Sequence, residues 1–201
     1  MAYANQKLGN YHEAIVLYKK AELFESDRLW VLKKLGSCCM KIKDYSNARR
    51  YFEDAASIKP GDLHLQVQIG QCCIHQKQFD EALDYFGKVR YYQPGNMKVL
   101  RPVAYCHFVS GKLDEASGFY NQILESEIPS SYDLMNAGHV QLCLGEKKKA
   151  LELYKASRVI PDFTQDQFIE AFEEDIPYLV QNGVNKDEIP LILDYLLFQD
   201  Q

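Results

Sequence analysis

The sequence has no apolar run of the roughly 20 residues that a membrane-spanning helix takes, which excludes a bilayer-embedded scaffold. Positive charge is in deficit. The 23 Lys and Arg stand against 28 Asp and Glu, so the chain lacks the basic footprint that nucleic-acid binding needs. There is no H-E-x-x-H, no G-x-S-x-G and no phosphate-cradling glycine loop, and the common hydrolytic and nucleotide-dependent chemistries are without their machinery. His139 and Cys143 form the one pair at one-turn spacing that resembles a nucleophile and base, and both fall in columns with packing duties. No catalysis and no cofactor are expected. No stretch alternates apolar and polar residues as a strand would.

Paired C-x-x-C motifs are also missing, although there are six cysteines. Cys38, Cys72 and Cys106 are 34 residues apart and stand too far from one another for a disulfide if that step is one repeat. Cys72 with His75, and Cys143 with His139, are the best-spaced ligand pairs. No metal is expected, because the thiols read as small buried hydrophobes. Unpaired thiols suit a reducing compartment, and a cytoplasmic location is the expectation.

What the sequence does have is a period. Ala14, Ala48, Ala82, Ala116 and Ala150 are 34 residues apart without insertion, and Ala2, Gly36, Gly70, Ala104 and Gly138 keep the same step. Four residues beyond each alanine stands Tyr18, Phe52, Phe86, Tyr120 or Tyr154, and three further on comes Ala21, Ala55, Val89, Ile123 or Ser157. Spacings of three, four and seven put these on one helical stripe. A small residue facing a large one lets two helix axes approach closely. Each unit therefore reads as two antiparallel helices, with the glycines on the first and the alanines on the second. Gly9, Gly111 and Gly145 fall at the turn between them, as a left-handed C-cap requires. Lys43 and Lys77 hold that place in the other two units and predict strain or another geometry. Pro60-Gly61, Pro94-Gly95, Ile128-Pro129 and Pro161-Asp162 close successive units.

This pattern resembles the tetratricopeptide repeat, a 34-residue helix–turn–helix unit with small, aromatic and proline columns. The resemblance implies an all-α, right-handed α-solenoid: a partial repeat over 1–28, repeats over 29–62, 63–96, 97–130 and 131–162, and a C-terminal helical cap over 163–201. The first repeat opens in the middle of its first helix, so the chain is expected to be a piece of a longer array. A regulatory segment of a larger multidomain protein or enzyme is the alternative reading.

In the family, partners are held on a concave surface lined by first helices. The matching columns here give Tyr3, Gln6 and Lys7 from repeat one, then Trp30, Lys33, Lys34, Ser37, Met40 and Lys41 from repeat two. Repeat three gives His64, Val67, Gln68, Gln71, Ile74 and His75. Repeat four gives Lys98, Arg101, Pro102, Tyr105, Phe108 and Val109, and repeat five gives Tyr132, Met135, Asn136, His139 and Leu142. The set has several cations and no acid, whereas Asp80, Glu81, Asp84, Asp114, Glu115, Glu146 and Glu152 lie on or near second helices. A cleft of one sign recruits ligands of the other. The expected partner is a peptide or protein presenting carboxylates and apolar side chains to a basic, aromatic-lined groove, with neither nucleic acid nor membrane bound. The two-carboxylate clamp of one subtype, which grips chaperone tails, is matched by Lys33 and Lys98 but not by Ser37, Gln68 and Pro102.

Beyond residue 162 the period stops. Thr164 or Asp166 can cap a helix running toward Asn182 with Phe168, Ile169, Phe172, Ile176 and Leu179 as its apolar stripe. Pro177 should kink or divide it. Asn185 and Glu188 resemble a capping box opening a last helix. Arrays need a polar-faced end unit. This one is acidic, with Asp166, Glu170, Glu173, Glu174, Asp175, Asp187, Glu188, Asp194 and Asp200 against Lys186 alone. Leu191, Tyr195 and Phe198 leave the last helix apolar on more than one side, which predicts deep burial or self-association through it.

Overall fold

Small-residue columns dictate the packing seen in the computed structural model, which describes residues 1–22, 27–125, 129–161 and 163–198. The described residues form twelve helices and no strand. They run α1 (Ala2–Lys7), α2 (Tyr11–Glu22), α3 (Arg28–Lys41), α4 (Tyr45–Ile58), α5 (Leu63–His75), α6 (Phe79–Tyr92), α7 (Met97–Val109), α8 (Leu113–Leu124), α9 (Ser131–Cys143), α10 (Lys147–Val159), α11 (Gln165–Gln181) and α12 (Glu188–Phe198). Ile128, Asp162 and Asp200, which the sequence reading uses, lie outside the described residues. The fold is all-α and of the helical-repeat class, with contacts dividing it into two compact units, Met1–Val99 and Leu100–Gln201.

In the first unit α1 packs on α2, α2 on α3, α3 on α4, α4 on α5 and α5 on α6. The alanine column is fully buried at Ala14, Ala48 and Ala82, and the aromatics Tyr18, Phe52 and Phe86 are buried beside it. Gly36 and Gly70 explain the closeness. A methyl group on Gly36 would come within 2.5 Å of the Phe52 ring, and one on Gly70 within 2.7 Å of the Phe86 ring. The aromatic of the second helix therefore sits directly on the backbone of the first. Asp27, Asp44 and Asp62 cap α3, α4 and α5 through side-chain acceptance of backbone N–H groups.

The turn inside each repeat has one geometry throughout. Lys43 (φ 61°) and Lys77 (φ 59°) adopt the left-handed conformation that Gly9, Gly111 and Gly145 adopt elsewhere. The following N–H closes the same wide ring in each: Asp44 N donates to Cys39 O at 2.9 Å and Gln78 N to Cys73 O at 2.8 Å, as Lys112 N does to His107 O. Strain, and not an alternative geometry, is what the two lysines bear.

In the second unit α9 packs on α8 and α10, α11 on α9 and α12 on α10. Helix α7 passes through Pro102 and α11 through Pro177 without interruption, so Pro177 does not divide its helix. Thr164 is the N-cap of α11, in a reciprocal capping box with Gln167. The expected box at Asn185 does not form. Asn185 Oδ1 accepts from the N–H of Asp187, while the Glu188 carboxylate is drawn away by the Lys147 ammonium at 2.6 Å. Helix α12 is buried on one face, at Ile189 and Leu196, whereas Leu191 and Phe198 are exposed. Arg158 bonds the carbonyl of Leu196, and Lys155 lies over the Tyr195 ring and bonds its hydroxyl.

Candidate functional site

First-helix faces in the first unit are open. Tyr3, Gln6, Lys7, Tyr11, Lys34, Ser37 and Lys41 line a cleft of about 280 Å³. His64, Val67, Gln68, Gln71 and Lys98, with Leu63, Val89, Gln93 and Asn96, line another of about 460 Å³. Lys34 lies over two rings, 5.3 Å from the centre of Tyr3 and 5.5 Å from that of Trp30, and Lys7 is 5.4 Å from Tyr3. Trp30 is partly exposed and meets Tyr18 edge-on. Among the described residues no acid forms an ion pair with Lys7, Lys34, Lys41 or Lys98. These cations are therefore uncompensated, and Lys34 is in addition partly desolvated by the two rings it lies over.

Lys33 differs. Its ammonium meets Asp62, the N-cap of the next repeat, at 2.6 Å. Burial pushes the Asp62 carboxyl up, but the hydrogen bond and charge of Lys33 outweigh this and hold it below the ordinary value. Ser37 donates to the Lys33 carbonyl at 2.8 Å. With Lys33 engaged inside the protein, one of the two matches to the carboxylate clamp is spent on repeat packing.

The second unit holds the larger corrections. Phe108 and His139, expected on the partner surface, are fully buried, and Met135 is buried with them. Helix α11 lies across the faces of α7 and α9 that carry them. Tyr105 donates to Asp175 at 2.8 Å. His139 meets the Phe172 ring and lies 3.7 Å from the Asp175 carboxylate. Tyr178 meets the rings of Tyr105 and Phe108, and Asn182 donates to the Phe108 carbonyl at 2.9 Å. The C-terminal segment thus does more than shield the last repeat: it occupies the face that the repeat pattern assigns to a partner. Arg101 holds the buried Asp133 at 2.8 Å, and Asp133 also accepts from Ser130 in the cap of α9. Tyr132 is exposed, with its ring 4.5 Å from that of Phe163, and Asn136 is half-buried.

Burial governs the titration of this cluster. It drives His139 down to about 3, so the imidazole is neutral, with Nδ1 at 2.9 Å from the Tyr154 hydroxyl. Burial lifts Asp175 to about 6 against the opposing Tyr105 hydrogen bond. The thiols of Cys39, Cys72 and Cys143 are pushed up, to about 11, 12 and 12, mainly by burial. They pack as hydrophobes and not as nucleophiles. Among the described residues no three His, Cys, Asp or Glu side chains converge as a metal site would, and no helix is long and apolar enough to cross a membrane.

Sequence reasoning missed Asp62 and Asp133 as groove acids. A readable signal exists: the cation and its acid are 29 or 32 residues apart, a little short of one 34-residue repeat. The pairs Lys33–Asp62 and Arg101–Asp133 share this logic with Arg49, which bonds Gln78 and Glu81.

Residues 43–96 match the family model described as tetratricopeptide repeat. No curated protein matches the chain. Among solved structures, MamA 41-end from Desulfovibrio magneticus RS-1 is similar at TM-score 0.72 and 15% identity, covering 78% of this chain and 88% of that one. A second MamA structure gives 0.69 and 15% over 89% and 98%. YrrB, titled a TPR protein with an unusual peptide-binding site, gives 0.67 and 20% over 86% and 88%. At these identities the likeness is one of fold.

Proposed function

We propose that this chain, which has the tetratricopeptide-repeat fold and matches that family's model over residues 43–96, is a non-catalytic scaffold that docks a protein or peptide partner on the first-helix face of residues 1–99. The observation that carries the reading is the contrast between faces. Lys34, Lys41 and Lys98 stand unpaired around open clefts, whereas Tyr105 and His139, on the first-helix face of the second unit, are packed under α11. Uncompensated cations beside exposed aromatics favour a partner with carboxylates and apolar side chains. His64, Gln68 and Gln71 supply hydrogen-bonding groups along the same face. YrrB, similar in fold, is described as having a peptide-binding site, which is in keeping with this use of the backbone. The free thiols of Cys38, Cys39, Cys72, Cys73 and Cys143 favour a reducing, cytoplasmic setting. Leu191 and Phe198, exposed on α12, are the surface through which copies of the chain would associate.

A displayed random-peptide library panned on the whole chain tests the docking assignment. Recovered sequences should be enriched in Asp and Glu with interspersed apolar residues. Enrichment should collapse on the chain carrying Lys34→Glu, Lys41→Glu and Lys98→Glu, all surface changes that leave the helices intact. Enrichment that survives this triple reversal, or no enrichment at all, rejects the assignment.

A further inference from the structure

The chain displays its own binding mode. The α7/α9 face and the α1/α3 face are the same columns three repeats apart: Tyr105 corresponds to Tyr3, Tyr132 to Trp30, His139 to Ser37, Asn136 to Lys34, Val109 to Lys7 and Cys143 to Lys41. In the second unit these columns hold a helix. The Tyr105 hydroxyl bonds the Asp175 carboxylate, Tyr132 meets Phe163 just ahead of that helix, and Phe172 fills the space beside His139. In the first unit both aromatics of the set, Tyr3 and Trp30, are exposed, and a cleft of about 280 Å³ stands where the helix would lie.

Resting on the scaffold reading, we infer that the α1/α3 face binds an acidic amphipathic helix of a partner in the manner in which the α7/α9 face holds α11. The partner's chemistry follows from the column differences. A carboxylate takes the place of Asp175 and accepts from the Tyr3 hydroxyl. An aromatic or large apolar residue about three turns before it packs on Trp30, as Phe163 does on Tyr132. Where the second unit has Val109, Asn136 and Cys143, the first has Lys7, Lys34 and Lys41, so the partner carries further carboxylates where α11 meets neutral groups. Three cations not paired within the protein cost nothing to leave in water, but they gain when a partner brings the opposite charge into a partly desolvated cleft. Helix-in-groove docking with apolar anchors one face apart is the matching recognition mode.

The segment around helix α11 itself carries the core of this description: Asp175 on the face that meets Tyr105, Phe172 beside His139, and Phe163 ahead of the helix on Tyr132. A synthetic peptide of residues 163–183 is therefore the probe. Trp30 is the only tryptophan in the chain and the peptide has none, so fluorescence excited at tryptophan alone reports on the proposed face. The expected result is a saturable change in Trp30 emission on titrating the whole chain, weakened at least about tenfold by Lys34→Glu with Lys41→Glu. Asp175→Ala in the peptide should weaken it similarly, and added salt should do so progressively.

No saturable change overturns the inference. So does binding that the lysine substitutions leave untouched, because the peptide is then displacing α11 in the second unit. The scaffold reading has a separate fate. A library that selects acidic peptides sensitive to Lys98→Glu, but insensitive to Lys34→Glu and Lys41→Glu, keeps the scaffold and discards this face.

Discussion

Replacing Gly70 by alanine probes the packing on which every repeat depends. On an ordinary helix the change stabilises, because alanine exceeds glycine in helix propensity by about 0.8–1 kcal/mol. Here the added methyl would stand 2.7 Å from two carbons of the Phe86 ring, about 1 Å inside van der Waals contact. Phe86 is fully buried, so its ring cannot swing into solvent. Overpacking of this kind costs about 1–3 kcal/mol, and after the propensity gain the net expectation is a destabilisation of up to about 2 kcal/mol. For a chain of this size that corresponds to a fall in Tm of up to about 8 °C. Urea unfolding followed by helical circular dichroism measures it. Gly87→Ala is the control, since Gly87 is exposed on the helix α6 and has no atom near its Cβ direction. It should stabilise by most of the propensity difference. In a Phe86→Leu background the cost of Gly70→Ala should shrink, giving a coupling of about 1 kcal/mol. If Gly70→Ala stabilises as Gly87→Ala does, the close approach of the two helices is refuted.

The left-handed lysines invite the opposite change. Lys43→Gly and Lys77→Gly should each raise stability in the same urea assay by up to about 1 kcal/mol, since relief of the left-handed strain outweighs the added freedom of the unfolded chain. Asp175→Asn should keep the Tyr105 hydrogen bond while removing a carboxylate that burial holds at about 6. A raised carboxyl pKa means that the folded state binds the extra proton between about pH 4 and 6. Wild-type stability from this group is therefore present below pH 4 and lost as pH rises through 6. The advantage of the asparagine variant should grow over that interval to the order of 2–3 kcal/mol, with His139, Glu174 and the hydroxyls of Tyr105, Tyr120, Tyr154 and Tyr178 common to both proteins. A difference that stays flat from pH 4 to 7 rejects the assignment. Asp133→Ala removes both the Ser130 capping box and the partner of Arg101. It should cost about 1–3 kcal/mol in thermal unfolding, whereas a cost near zero would mean that the buried carboxylate contributes nothing to α9.

The repeat itself was legible because a stacked array writes its contacts at a fixed step. Gly36, Gly70 and Gly138 had to be small for the sake of the aromatics sixteen residues later, and the structure places Phe52, Phe86 and Tyr154 on them. The left-handed turn was legible at Gly9, Gly111 and Gly145, whereas at Lys43 and Lys77 the sequence left strain or another geometry open and the structure decided for the left-handed turn. Column position could not tell an open face from an occupied one. Phe108 and His139 stand in the same columns as Gln6 and Ser37, yet the first pair is buried and the second pair borders a cleft.

By itself, then, the sequence determined the helix pairs and their small-to-large contacts, because those depend on neighbours at a constant spacing. Only the tertiary structure decided which first-helix faces remain available. Helix α11 obeys no period, so nothing in the 34-residue step records that it folds back over α7 and α9. Lys33 and Arg101 look free in one dimension, but Asp62 and Asp133 reach them across a repeat boundary, where charge is balanced by proximity in space and not along the chain.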